Sequence, residues 1–384
     1  MRVAVFGGGY AGIVAATRLE RRLEESSELL FVDPRPAHLV KHELHRVIRQ
    51  PAMADAITIP FESILDRADV LQRKVVRLDP DLGTATFEND ESLDYDAGIV
   101  SFGAAPADYG IDGVVEHSIP LSSTAEAREI RETTAELLDR GTGQIIVAGA
   151  GLAGIQTAGE LAEIRSDAEA EDVSILLLEQ ADRIAPGAPE KLSTALSKSL
   201  LQKGVDVRTG VGVTAATAEH IMTDGEGSLP HDLLVWTGGI AGREAFDGIR
   251  PTVRADLRLG DRTFAAGDAV QVVDQEGQMV RPTAQSAVAM APVAADNAMR
   301  RATAEATTGF GPDYRRYLDS SAGLVVTVGE DTVAQVGPSI LTGTTARALK
   351  SFIGARYLSS AGQIEAGVKL ARTEFGLAPP KEEQ

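Results

Sequence analysis

The sequence predicts an α/β protein with two similar parallel-sheet units, on three observations. A short apolar strand, a glycine-rich turn and a helix follow one another at the start of the chain. The same series recurs from Gln144, and in each copy the next apolar strand ends on an acid. A length of 384 residues suits two or three domains, and a composition 43% hydrophobic and 24% charged is that of a globular chain able to bury a sizeable core.

In the first copy, Arg2–Phe6 reads as the strand, Gly7-Gly8-Gly9-Tyr10-Ala11-Gly12 as the turn and Ile13–Leu23 as the helix. Leu29–Val32 is the second strand, ending at Asp33. In the second copy, Gln144–Ala148 is the strand and Gly149-Ala150-Gly151-Leu152-Ala153-Gly154 the turn. Ile155–Ile164 then forms the helix, and Val173–Leu178 a strand ending at Glu179. One such glycine pattern is weak evidence; two in the same context are strong.

The spacing has a physical reading. Gly7 and Gly149 permit the tight turn, Gly9 and Gly151 let a pyrophosphate approach the backbone, and Gly12 and Gly154 let helix and strand pack closely. The pyrophosphate then lies at a helix N-terminus, where free N–H groups and the helix dipole favour an anion. Asp33 and Glu179 are placed to accept hydrogen bonds from an adenosine ribose. An acid at Glu179 favours NADH over NADPH, because it repels a 2′-phosphate. Two dinucleotides on one chain imply a fixed flavin facing an exchangeable nicotinamide for hydride transfer.

Composition removes other functions. With no cysteine there are no disulfides, thiolate metal sites, iron–sulfur clusters or dithiol relays. A net charge of −19 disfavours nucleic acid and anionic membrane as partners of the average surface. Only eight residues are Lys, and an acidic, Lys-poor, Ala-rich chain suits either a salt-loving microbe or an ordinary acidic cytosolic protein. The uncharged stretch Gly141–Gly159 holds six glycines and does not read as a membrane span. The start, MRVAVFGGG, runs straight into the motif without a secretory signal core, so the expected location is the cytoplasm or the cytoplasmic face of the membrane.

These passages resemble the two-dinucleotide-binding flavoprotein superfamily, and within it the type II NADH dehydrogenases (NADH:quinone oxidoreductases), over nearly the whole chain. His38–His45 resembles the family's segment leading toward the flavin ring, and Tyr95–Gly103 its strand closing the first flavin-binding piece. Leu233–Gly239, with Gly238, resembles the strand leaving the nicotinamide domain. Thr263-Phe264-Ala265-Ala266-Gly267-Asp268 is similar to the second flavin fingerprint, whose Asp binds the ribityl chain. The resemblance implies FAD and NADH as cofactors and two Rossmann-like domains, the NADH domain (119–249) inserted into a split FAD domain (1–118 and 250–312). A small C-terminal domain, 313–384, follows, ending in a loose tail at Gly376–Gln384.

Two positions depart from the family. Gln156 stands where relatives carry Glu, and an amide cannot carry a proton. The quinone-side run AQxAxQ is Ala284-Gln285-Ser286-Ala287-Val288-Ala289 here, with the second Gln replaced. The cysteine-dependent disulfide reductases and sulfide:quinone reductases of the superfamily are excluded.

Hydride transfer asks the protein mainly for position and electrostatics. Gln156 and Gln285 are the candidates for polar groups beside the rings, and Lys41 for a positive charge favouring the anionic reduced flavin, or else a surface lysine. His38, His42 and His45 have the spacing of one helical face, yet without a clear carboxylate partner beyond Glu43 they read as packing or flavin contacts, not a metal site. Trp236 reads as a buried strand residue.

The C-terminal region reverses the sign of the chain: residues 345–376 carry five basic residues against Glu365 and Glu374. Ala346, Leu349, Ile353 and Tyr357 form one apolar stripe flanked by Arg347, Lys350 and Arg356, and Ile364, Val368, Ala371 and Phe375 form a second. Such helices suit peripheral membrane contact, or packing on the body or on a second subunit of a homodimer. The expected activity is therefore FAD-dependent transfer of electrons from NADH to a membrane quinone, without proton pumping. A ferredoxin-like or small-molecule acceptor, or a non-catalytic NADH-sensing role, remain as alternatives.

Overall fold

The computed structural model describes residues 1–303, 313–320 and 323–360. Its first sheet is parallel. The strand Arg2–Phe6 pairs with Glu28–Val32 on one side and with Ala97–Val100 on the other. Asp69–Leu71 extends one edge, and Thr263–Ala265 extends the other beside Gly98–Val100. A strand from late in the chain thus completes the sheet begun at residue 2. Val3, Ala4, Val5 and Phe6 are all fully buried, as expected of a parallel strand covered by helices on both faces.

The second sheet repeats the plan. Gly143–Ala148 lies between Val173–Glu179 and Leu233–Trp236, with Asp206–Thr209 and Ile119–Pro120 at the edges, all parallel. The chain passes between the units through Ala105–Pro106 and returns through Ile240–Ala241, which pair antiparallel. The helix Thr124–Arg140 opens with a capping box from Ser123 and Glu126 and stops at Gly141, a left-handed cap.

A third, antiparallel sheet of Gly323–Val328, Asp331–Val336 and Ser339–Thr342 precedes the helix Gly343–Ser360. In the first C-terminal stripe Ala346 and Tyr357 are buried, whereas Ile353 is 46% exposed beside Phe352 at 62%. The second stripe, the Arg356 side chain, Glu365, Glu374 and the tail Gly376–Gln384 lie outside the described residues. Among the described residues no helix is long and apolar enough to cross a membrane.

The helices behind both turns begin earlier than their sequence patterns suggest. Tyr10–Glu20 and Leu152–Asp167 start directly after Gly9 and Gly151, so no loop separates the turn from the helix N-terminus. The histidine segment departs further from expectation. It is not one helix but a strand, Ala37–Leu39, a 3₁₀ turn, Lys41–Glu43, and a short helix, Arg46–Arg49.

Candidate active site: two paired cradles

The two glycine turns are built alike, atom for atom. Gly7 and Gly149 take φ of +106° and +99°, a region side chains rarely enter. A Cβ on Gly12 would run into the Gly7 carbonyl and the Ser101 hydroxyl, and one on Gly154 into the Gly149 carbonyl and the Thr237 hydroxyl. Ser101 Oγ donates to the Phe6 and Gly7 carbonyls at 3.1 and 2.9 Å. Thr237 Oγ1 does the same to Ala148 and Gly149 at 3.0 and 2.7 Å. Sequence reasoning missed these two hydroxyls, although Val100-Ser101 and Trp236-Thr237 end matching strands and could have been aligned as the motifs were.

The acids brace the turns as well. Asp33 Oδ2 accepts from the Gly8 N–H at 2.6 Å, and Glu179 Oε2 accepts from the Ala150 N–H at 2.8 Å. Asp33 also takes the backbone N–H and guanidinium of Arg35, and Glu179 that of Ala181. Both are buried at the ends of their strands, and carboxylate oxygens retain lone pairs for a ribose hydroxyl.

The backbone ahead of each helix is ready for an anion. Neither Gly9 nor Gly151 caps its helix with a side chain, so the first N–H groups stay open. A Cβ on Gly151 would meet nothing. Beside the first turn gather Arg35, Lys41 and Arg243. Burial lowers the basicity of Arg243, and Arg35 lowers it further; burial, Arg243 and Arg35 together lower that of Lys41. Lys41 keeps an exposed surface although protein surrounds its ammonium, as a side chain in a cleft does. Three cations beside open helix N–H groups fit a pyrophosphate.

Gly267 and Asp268 lie against the first cradle, with the Gly267 φ at +72° and its would-be Cβ facing Ala11 and Ala287. Burial raises the Asp268 carboxyl, and Arg250 and Lys41 oppose this. Its carboxylate accepts no hydrogen bond from the described residues, which suits a polyhydroxyl chain. Gly103 also has a left-handed φ, with open space where a Cβ would point. Gly238 abuts Gly149, and a Cβ there would strike the Trp236 indole. Trp236 is a buried strand residue, its Nε1 donating to the Ala107 carbonyl at 2.7 Å.

The three predicted catalytic residues are not gathered in one hydrogen-bonded group. Gln156 donates from its amide to Thr327 Oγ1 at 3.1 Å and lies 3.4 Å from His45 Nε2. Gln285 is exposed in the first turn of the helix Ala284–Thr303, and Lys41 faces Asp268. The histidines diverge. His38 bridges the Gly8 carbonyl and the Tyr357 hydroxyl, each at 2.9 Å; His42 meets Tyr10, and His45 meets Thr327. Among the described residues no group of His, Asp or Glu could hold a metal.

The units are also fastened to each other. Arg49 donates to Glu160 on the second unit's helix at 2.6 Å, and Arg131 donates to the Ile48 and Arg49 carbonyls. Two cradles of one design thus stand in two units that are bonded to each other. Residues 1–295 match the family model described as pyridine nucleotide-disulphide oxidoreductase.

The chain belongs to this family. As a pyridine nucleotide-disulphide oxidoreductase without cysteine, it lacks the thiol pair of the disulfide-reducing branch. A type II NADH:quinone oxidoreductase of Staphylococcus aureus is 25% identical over 94% of this chain and 96% of the relative. In fold, the NDH2 of Plasmodium falciparum, solved in complex with NADH, superposes with a TM-score of 0.80 at 14% identity, covering 98% of this chain and 99% of that one. The sulfide:quinone oxidoreductase of Aquifex aeolicus gives 0.78 at 18% identity, covering 99% and 93%.

Proposed function

We propose that this oxidoreductase takes electrons from NADH through FAD and passes them to a membrane quinone without pumping protons. The observation that carries the reading is the pair of matched cradles within one chain. The full-length likeness to a type II NADH:quinone oxidoreductase supports it, and the missing cysteines turn it away from sulfide or disulfide chemistry.

FAD belongs in the first cradle. Gly7, Gly9 and Gly12 bring the backbone to its pyrophosphate, Asp33 takes the adenosine ribose, and Gly103, Gly267 and Asp268 line the path of the ribityl chain. NADH belongs in the second, with Gly149, Gly151 and Gly154 at the pyrophosphate, Glu179 at the ribose and Gly238 beside the turn. Bound together, the cofactors supply a hydride donor and a hydride-accepting ring. The chain's own part is to hold them in register and keep water out. Lys41 places positive charge beside the first cradle. Gln285 presents an amide at the acceptor side, and Gln156, tied to Thr327 and His45, orients its neighbours without carrying a proton.

The domain division at 1–118 and 250–312, 119–249, and 313–384 accords with the strand Thr263–Ala265 returning to the first sheet. Exposed Phe352 and Ile353 support peripheral membrane contact on the cytoplasmic face, with a homodimer as the other use of that surface. The charge of −19 supports work at high salt. Ala289, in place of a second glutamine, favours as a second reading a ferredoxin-like or small-molecule acceptor. Steady-state NADH oxidation at high salt, against short-chain quinones, a ferredoxin and dioxygen, separates the readings. Rapid turnover with quinones supports the proposal; turnover with the protein acceptor alone rejects it, and slow reoxidation by every acceptor points to a sensor.

A further inference from the structure

Tyr109 is an exposed phenol on a backbone that disfavours it. It lies 67% open to solvent with φ at +55°, and Gly110 follows at +65°. The Ile111 N–H donates to the Asp108 carbonyl at 3.0 Å, and the Gly110 N–H donates to Asp108 Oδ1 at 3.0 Å. Two left-handed residues inside a four-residue turn are the pattern of type I′, which suits Asn, Asp or Gly rather than a bulky aromatic. Neither the turn nor a buried core calls for a tyrosine here, and backbone strain of this kind gathers at ligand contacts.

The turn is pinned beside the second cradle. The Ala107 N–H donates to the Gly239 carbonyl at 3.1 Å, and Trp236 Nε1 donates to the Ala107 carbonyl at 2.7 Å. The Tyr109 hydroxyl stands against Gly239, where an added Cβ would strike it. Gly238, next in the chain, lies against Gly149 of the glycine turn.

The sheet sets the direction in which a dinucleotide crosses this cradle. The strand Gly143–Ala148 lies between Val173–Glu179 on one side and Leu233–Trp236 on the other. With a ribose at Glu179 and the pyrophosphate at the helix N-terminus behind Gly151, the ligand runs across the carboxyl ends of these strands. Its second half then passes over Thr237–Gly239, where Tyr109 stands.

We propose that Tyr109 binds the nicotinamide half of NADH, its ring covering that half and its hydroxyl supplying a hydrogen bond; this rests on the NADH reading of the second cradle. A phenol offers broad apolar area, a polar tip and few rotatable bonds, so it holds a flat heteroaromatic ring at small entropic cost. Gly239 is its counterpart, because the missing Cβ leaves room for the hydroxyl. The position gives up turn stability for binding, as functional positions do.

The test is calorimetric titration of the oxidised, FAD-loaded protein with NAD⁺ and with ADP, which ends at the pyrophosphate; no turnover is involved. Tyr109→Asn suits the left-handed turn and is expected to raise the melting temperature. It should nevertheless weaken NAD⁺ binding about tenfold while changing ADP binding less than about twofold. Tyr109→Phe keeps the ring and should weaken NAD⁺ binding alone, by about threefold. Equal weakening of both nucleotides would make the turn a prop for the cradle, and unchanged NAD⁺ affinity would leave the phenol without a ligand; either result overturns the proposal. If the wild-type protein binds neither nucleotide, the NADH reading of the cradle fails instead. Should Tyr109→Asn not fold, Tyr109→Phe decides by the same pair of titrations.

Discussion

The Lys350 ammonium lies 3.0 Å from the Glu43 carboxylate, joining the C-terminal helix to the turn beside the first cradle. Burial alone would raise the Glu43 carboxyl, but Lys350, His42 and Arg46 hold it well below its ordinary value. Removing one partner from so enclosed a pair leaves an uncompensated charge, which costs about 3–5 kcal/mol. Lys350→Met is therefore expected to lower stability by about 3 kcal/mol, since Arg46 and His42 remain. Urea unfolding at neutral pH measures it, and the double variant Lys350→Met with Glu43→Gln should recover part of the loss. The Glu43 contribution is full above its unfolded pKa and drains away as the pH falls below it.

His38 sets a second pH dependence. Burial, the largest cause, and then Arg35 and His42 lower its imidazole to about 4 from the ordinary 6.5, against the hydrogen bond it donates to the Gly8 carbonyl. A neutral folded histidine means the unfolded chain binds the extra proton, so its contribution is present above pH 6.5 and lost as the pH falls toward about 4. The expected loss across that window is about 3 kcal/mol, from about 1.36 kcal/mol per pKa unit. Urea midpoints across the window check it, and a flat profile for both wild type and His38→Asn would contradict it.

The third glycines separate the cradles. An added methyl at Gly12 or Gly154 strikes a backbone carbonyl of its own turn. Gly12→Ala is expected to lose most bound flavin, read as the flavin-to-protein ratio after gel filtration. Gly154→Ala should keep its flavin and raise the KM for NADH at least tenfold. The reverse pattern would mean the cofactors are exchanged between the sites.

Glu179 has two duties, bracing Ala150 and accepting the ribose. Hydrogen bonds to a charged group contribute about 1.5–3 kcal/mol. Glu179→Ser is expected to lower kcat/KM for NADH about tenfold or more while raising that for NADPH, as paired steady-state assays would show.

How much of this was legible in the sequence follows from how local each feature is. The strands and turns at Gly7 and Gly149 are set by neighbouring residues, and their spacing carried the fold. The acids Asp33 and Glu179 were found, but their grip on Gly8 and Ala150 was not, because it depends on how the strands end in space. The segment His38–His45 misled: its spacing fits a helix, yet His38 is drawn to Gly8 and Tyr357, His42 to Tyr10, and His45 to Thr327. Two of those partners lie about three hundred residues away along the chain, and no local pattern announces them. The Glu43–Lys350 pair was hidden for the same reason, since Lys350 read as one cation flanking an apolar stripe.

The most direct measurement is anaerobic titration of the purified protein with NADH while following its visible absorption. The account predicts a yellow protein carrying one FAD per chain, bleached by one equivalent of NADH and restored on adding a quinone. A colourless protein, or a flavin that stays oxidised under excess NADH, would contradict it.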